Sequence, residues 1–316
     1  MKWFISWRQL REHGILGMNA RNIEFIYRYN PRHLYSLVDD KLKTKQLAER
    51  HGIPTPKLLF FLGEQHQLRH LESLLDNIDS FAAKPAKGSG GKGILLIKES
   101  RDRTYIKSSG TELTIGDVRH HLSNILAGLF SLAGTPDVAI GEELIHFNDL
   151  FDGYSYEGVP DIRIIIFQGY PVMAMLRLAT QDSDGRANLH QGAVGVGIDM
   201  ATGRAINAVQ YSLPVTKHPD TGKFFETIEI PDWEKILKMA AKSYEMTGLG
   251  YMGVDIVLDK QRGPLLLEMN ARPGLTIQLA NGIGILKRLR LLENLHEKFS
   301  MAEDRVRFSM DTFGMR

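Results

Sequence analysis

Apolar residues along the chain alternate between helical and strand spacing. Leu42, Leu47 and Ala48 line one side of a helix that Asp39 and Asp40 can cap and that Gly52, Pro54 and Pro56 stop. A strand over residues 57–62 follows. Leu68, Leu71, Leu75 and Ile78 mark an amphipathic helix, and two strand-like runs, 81–85 and 93–98, flank a Gly/Lys-rich loop. Val118, Leu122, Ile125, Leu126 and Leu129 mark a further helix ending near residues 134–136, and 138–145 reads as a strand. From Asp161 the pattern turns antiparallel, with strands 162–167 and 172–178 around a turn at 168–171. Trp233, Ile236, Leu237, Ala240 and Tyr244 share one face of a helix over 232–246 closed by Gly248, and 253–259 with 264–269 form a last hairpin. Helices laid on antiparallel hairpins predict an α+β fold rather than a doubly wound parallel sheet.

At 316 residues the chain is long enough for about two domains or one large enzyme body. Its 43% hydrophobic and 24% charged residues argue against disorder or a fibrous repeat. A formal net charge of +2 gives no electrostatic reason to expect nucleic acid as a partner. The absence of cysteine excludes a disulfide framework, a thiolate zinc site and a cysteine nucleophile. With no run of apolar residues long enough to span a bilayer and no signal-peptide core, the expected location is the cytoplasm. Trp3, Trp7 and Leu10 recur at helical spacing among Lys2, Arg8 and Arg11, a pattern suited either to a membrane surface or partner or to a first helix packed on the body.

The last hairpin yields to geometry. If its loop is 260–263, Asp259 faces Pro264 and, counting back in step, Asp255 lies opposite Glu268. Strand period two adds Asn270 to the same face. Two adjacent carboxylates repel one another unless something positive sits between them, and hard oxygen ligands suit Mg²⁺ shared with substrate phosphates. The plain alternative is two solvated carboxylates on an exposed sheet face. The second chemical element is the loop Lys87, Gly88, Ser89, Gly90, Gly91, Lys92 and Gly93 after Lys84, Pro85 and Ala86. Glycines let backbone N–H groups approach phosphate oxygens and lysines add point charge, although such a loop also serves as a mere hairpin tip.

Taken in order, Asp40-Lys41, Ala83-Lys84-Pro85 with the glycine loop, Glu142-Glu143-Leu144-Ile145, Asp161-Ile162-Arg163, Asp255 and Glu268-Met269-Asn270 resemble the ATP-grasp family over roughly residues 38–279. Within it the chain is most similar to RimK-type alpha-L-glutamate ligases and the sugar-transferase-associated branch. The resemblance implies two lobes with ATP bound between them and a truncated N-terminal domain. It divides the chain into a short segment 1–36, an ATP-grasp domain 37–300 with lobes at about 57–141 and 142–300, and a polar tail 301–316. By position it implies that Lys41 and Lys84 contact the phosphates with loop 88–93 closing over them, that Glu142, Glu143, Leu144 and Ile145 bind the adenine edge, and that Asp161 holds the ribose. The stretch 147–160 is longer than the family pattern, which leaves Asp152 or Glu157 as alternatives to Asp161. Asp255, Glu268 and Asn270 would hold Mg²⁺ or Mn²⁺. Arg177, Asn188 and Arg272 would act on the transferring phosphoryl group or the substrate, with Arg186 and His190 as further candidates.

The activity implied is an ATP-dependent carboxylate–amine ligation through an acyl phosphate, with glutamate or a similar amino acid added to a peptide, protein or small acceptor. An ATP-grasp phosphotransferase and a non-catalytic nucleotide-binding protein are the alternatives. About 40 residues precede Lys41, rich in Trp, Tyr and Arg, the residue types enriched at interfaces. This predicts that a second copy of the chain or a partner protein completes the acceptor site, against the alternative that the segment packs across the body.

Overall fold

A computed structural model describes residues 7–88, 90–131 and 134–315; Trp3 and Ser89 lie outside the described residues, as does the side chain of Trp7. The chain divides into two compact units. The smaller takes residues 40–46 and 55–146, and the larger takes the remainder.

The smaller unit is built on an antiparallel six-stranded sheet, β1 (Leu58–Leu62), β2 (Phe81–Pro85), β3 (Leu95–Arg101), β4 (Thr104–Lys107), β5 (Glu112–Leu113) and β6 (Ala139–Glu142), in the order β1-β6-β2-β3-β4-β5. Phe60, Phe81, Ile97 and Tyr105 pack there against Val118, Leu122 and Ile125 of the helix Ile115–Leu126. That helix starts where Thr114 and Asp117 cap one another reciprocally. The amphipathic stretch expected over residues 68–78 is split into a 3₁₀ turn, Gln65–His70, and one short helix, Leu71–Leu75. The strand expected over 138–145 stops at Glu142.

The larger unit holds β7 (Asp161–Phe167), β8 (Tyr170–Leu178), β9 (Val194–Ile198), β10 (Ala205–Gln210), β11 (Leu213–Pro214), β12 (Tyr251–Asp259) and β13 (Gly263–Asn270), in the order β11-β10-β9-β8-β7-β12-β13. One face of this sheet carries the helices Trp233–Ala241 and Ala302–Phe313, whose Ile236, Leu237, Val306 and Phe313 complete the core. The expected polar tail is therefore in part a packed helix: Val306, Ser309 and Phe313 recur at helical spacing and are buried, a stripe masked by the surrounding charges. Of the residues before Asp39, the stretch 25–30 packs on this unit. Asn30 accepts from the Tyr251 N–H at 2.9 Å and donates to the carbonyls of Tyr251 and Ala271 at 2.6 and 2.9 Å, while the rings of Phe25 and Tyr29 meet Phe167 edge-on at 5.7 and 4.9 Å.

Strands β9 and β10 had no clear signal in the sequence. β9 reads Val-Gly-Val-Gly-Ile, and alternate glycines dilute a strand pattern. The reason for glycine lies on the covering helix Ile277–Asn281: a Cβ at Gly197 would come within 2.3 Å of the Ala280 carbonyl oxygen, and one at Gly195 within 2.6 Å of Leu189. Gly197→Ala is expected to destabilise the protein by about 1–3 kcal/mol through this overpacking. Urea unfolding followed by far-UV circular dichroism reads it as a lower midpoint at unchanged slope, and an unchanged midpoint contradicts the packing described.

Candidate active site

In the smaller unit, strand pairing and one helix gather the cations. Glu142 pairs with Ala82, so Lys84, two residues along β2, lies diagonal to it on the same face. Lys84 Nζ donates to Glu142 Oε2 at 2.7 Å, and Lys45 Nζ sits 3.0 Å from Oε1. Lys45 also donates to the Pro56 carbonyl. The helix Lys41–Arg50 begins at Asp40, whose carboxylate accepts from the N–H groups of Leu42 and Lys43 at 3.1 and 3.2 Å. Four residues apart, Lys41 and Lys45 share a face of this helix. Lys41 Nζ donates to the Gly88 carbonyl at 2.6 Å, which ties the helix to the loop.

Burial alone would raise the Glu142 carboxyl, but the charges of Lys84 and Lys45 outweigh it and hold the group below its ordinary value of 4.5. Its oxygens thus serve the lysines. Lys45 had escaped the sequence reading, although its spacing from Lys41 was the available sign. The loop itself is anchored at both ends: the Lys87 N–H donates to both oxygens of buried Asp137 at 3.1 and 3.0 Å, and the His121 ring lies 2.9 Å from the Gly93 carbonyl oxygen. Gly90 and Gly91 have φ of +65° and +73° with open space where a side chain would stand, and Lys92 is exposed. Beyond Glu142, the Glu143 N–H donates to the Lys57 carbonyl at 3.0 Å, and Leu144 and Ile145 continue without regular structure.

In the larger unit, Asp255 lies opposite Glu268, as the sequence predicts, but by a different route. The hairpin pairs Asp259 with Gly263 rather than Pro264, a register one residue off the expectation. A bulge between Asp255 and Ile256 inserts one extra residue on β13, leaving Leu267 unpaired, and restores the match. On its other side Asp255 pairs with Arg163, and one row further Asp161 pairs with Arg177. All of these, with Asn270, point to one face.

Two guanidiniums offset the charge of two of the three carboxylates on that face. Arg163 donates through Nε and Nη2 to the two oxygens of Asp255 at 2.7 and 2.6 Å, and Arg177 bridges Asp255 Oδ2 and Asp161 Oδ1, each at 2.6 Å. The side chains of Asp255 and Asp161 are only 3% and 4% exposed. Burial pushes Asp255 up, yet Arg163 and Arg177 outweigh it and hold it below the usual carboxylate range. Asp161, with one arginine and the neighbouring charge of Asp255, is pushed up by burial to about 6. The sequence names Arg163 within the Asp161-Ile162-Arg163 motif but not its role, which depends on a pairing between strands nearly a hundred residues apart.

Of the remaining candidates, Arg272 lies beside Asn270, while Asn188 and Arg186 lie on the loop after β8. Asn188 caps the short turn Leu189–Gln191, accepting from the His190 N–H at 3.0 Å. Arg272 pairs with Asp39 at 3.5 Å and lies over the Tyr35 ring, while its N–H donates to Asn270 Oδ1 at 2.8 Å. Arg186 lies 3.6 Å from Asp184 and is exposed. Among the described residues no three His, Cys, Asp or Glu side chains gather at ligating distance. The donor set Asp255, Glu268 and Asn270 is all oxygen, the chemistry a hard divalent cation takes, with the Asp255 oxygens also accepting from Arg163 and Arg177; such a cation would take the rest of its shell from phosphate or water.

Comparison with known proteins agrees with the motifs. The family model "Sugar-transfer associated ATP-grasp" matches residues 20–294. A probable alpha-L-glutamate ligase of Maridesulfovibrio salexigens is 26% identical over 238 residues, covering 75% of this chain and 56% of that protein. One from Aeromonas salmonicida is 27% identical over 246 residues, covering 77% and 59%. The chain thus spans less than two thirds of the length of these relatives. Among solved structures, D-cycloserine synthetase DcsG matches 91% of this chain and 79% of its own at 15% identity, with a TM-score of 0.49.

Glu142 makes the electrostatics testable. Its carboxyl titrates lower in the folded protein than in the unfolded chain, so its stabilisation is complete above pH about 4.5 and is lost as pH falls towards the folded value. Glu142→Gln should therefore cost about 3 kcal/mol at pH 7, and the gap to wild type should narrow below pH 4.5 in denaturant titrations. A gap constant from pH 7 to 3 contradicts it.

Proposed function

Since the chain belongs to the sugar-transfer associated ATP-grasp family, we propose that it is an ATP- and magnesium-dependent ligase that activates a carboxylate as an acyl phosphate and joins it to an amine. The reading is carried by one observation: Asp255, Glu268 and Asn270 share a sheet face with Arg163 and Arg177. Oxygen ligands for a cation and planar cations for phosphate oxygens lie side by side there.

When bound, Mg²⁺ supplies a Lewis acid on the phosphate oxygens. Asp255, Glu268 and Asn270 would hold it. Lys41, Lys45 and Lys84, held in place by Glu142 and the Gly88 carbonyl, offset phosphate charge, and the N–H groups of Gly88 and of residues 90–93 would face the phosphates. The segment from Glu143 to Ile145 takes the adenine edge. Glu142 is engaged by two lysines and acts as their positioning residue. Arg163 and Arg177 stabilise charge as the γ-phosphoryl moves to a carboxylate oxygen and ADP leaves. The amine then attacks the acyl carbon, the C–O bond to phosphate breaks, and the amine proton passes to phosphate or solvent. No side-chain nucleophile takes part, in keeping with the lack of cysteine. Glutamate, the substrate named for the relatives, is one candidate among acids and amines.

Incubation with ATP, Mg²⁺, a panel of carboxylic acids and hydroxylamine should yield a hydroxamate together with ADP. ADP without hydroxamate or amide from any acid refutes the ligase and favours phosphoryl transfer to a hydroxyl. Glu268→Gln should lower turnover on the order of 10²-fold while leaving the melting temperature within a few degrees. Asp255→Ala should lose both activity and stability, because it strands two buried guanidiniums at a cost of about 3–5 kcal/mol. An Asp255→Ala protein as stable as wild type contradicts the charge network.

A further inference from the structure

A cavity of about 300 Å³ opens in the larger unit on the same side of the sheet as the carboxylates. Four aliphatic side chains, Leu189, Val209, Leu275 and Leu279, line it together with the polar but uncharged Ser212 and Thr276 and the rings of Tyr211 and His190. None of the lining residues is a Lys, Arg, Asp or Glu. The link to the site runs through glycine. Gly195 pairs with Arg177 across β8 and β9, and Leu189 lies over Gly195, filling the place where a Cβ would stand. The aliphatic wall of the cavity therefore begins one strand from the guanidinium that binds Asp161 and Asp255.

Its wall is built at a conformational cost. Tyr211 and Ser212 form the two-residue turn between β10 and β11, and both have positive φ, +50° and +65°. Such a turn favours Asn and Gly, and a tyrosine there is strained. The placement holds Tyr211 against the loop that carries Asn188: its hydroxyl donates to Asp182 Oδ2 at 3.2 Å and takes the space beside Gly192. At the mouth, Tyr211 and Leu279 remain 56% and 45% exposed, apolar surface that a ligand would cover.

We infer that this cavity receives an apolar side group of the acid whose carboxylate is activated, so that the preferred acid carries a branched aliphatic or aromatic group rather than a second carboxylate. This rests on the ligase reading and deepens it. A glutamate side chain placed here would give up hydration against four aliphatic side chains with no Lys or Arg in the lining to replace it, and the Tyr211 hydroxyl already donates to a carboxylate, Asp182.

Binding and turnover separate the two claims. By isothermal titration, 3-phenylpropionate should bind at least about tenfold more tightly than glutarate, the order of discrimination an apolar pocket gives. Leu279→Lys, at an exposed position, should weaken 3-phenylpropionate and improve glutarate. In the hydroxylamine assay the same order should appear in KM, with kcat for 3-phenylpropionate little changed by the substitution. Glutarate binding as tightly as 3-phenylpropionate, no binding of either acid, or indifference of both to Leu279→Lys overturns the pocket assignment. Selective binding of 3-phenylpropionate with no hydroxamate from any acid leaves the pocket standing and refutes the ligase.

Discussion

Charge compensation on one face of the larger sheet is the constraint on which the rest depends. Two carboxylates, Asp161 and Asp255, are buried to within a few per cent, where an unpaired charge is untenable. Arg163 and Arg177 make them tenable, and they do so only because β7, β8 and β12 are neighbours in a fixed register. A slip of one residue on any of the three would send a charge into the helix-covered core. The long antiparallel strands, the bulge on β13 and the glycines under the helix Ile277–Asn281 all keep that face in register and accessible.

The smaller unit solves a related problem with the opposite sign. Three lysines gather there, and Glu142 is the counter-charge that holds two of them. A carboxylate kept ionised by its neighbours costs the protein acid tolerance but fixes where positive charge is presented. In each unit, then, a buried acid sets the geometry of its basic partners.

Much of this was legible in the sequence. Periodicity located most of the long strands, and strand alternation brought Asp255, Glu268 and Asn270 together before any coordinates, although the hairpin turned one residue earlier than expected and a bulge absorbed the difference. Strand β9 was hidden because its Gly197 answers to a helix eighty residues further on, which no local pattern reveals. Lys45 and the role of Arg163 were hidden for the same reason: a lysine on a helix and an arginine on a strand look like surface charges until tertiary pairing shows what they face. The ribose role given to Asp161 came from the order of motifs, whereas in the fold its carboxylate is shared with Arg177. The helix Ala302–Phe313 was taken for a tail because charged residues surround its narrow apolar stripe.

The central claim is that the Asp255, Glu268 and Asn270 face is a cation site that works with nucleotide phosphates. Electron paramagnetic resonance of Mn²⁺, titrated into the protein with a non-hydrolysable ATP analogue, reads it directly. The account predicts protein-bound Mn²⁺ in wild type, strongly weakened in Glu268→Gln while the variant stays folded. Equal Mn²⁺ binding by the two proteins would contradict it.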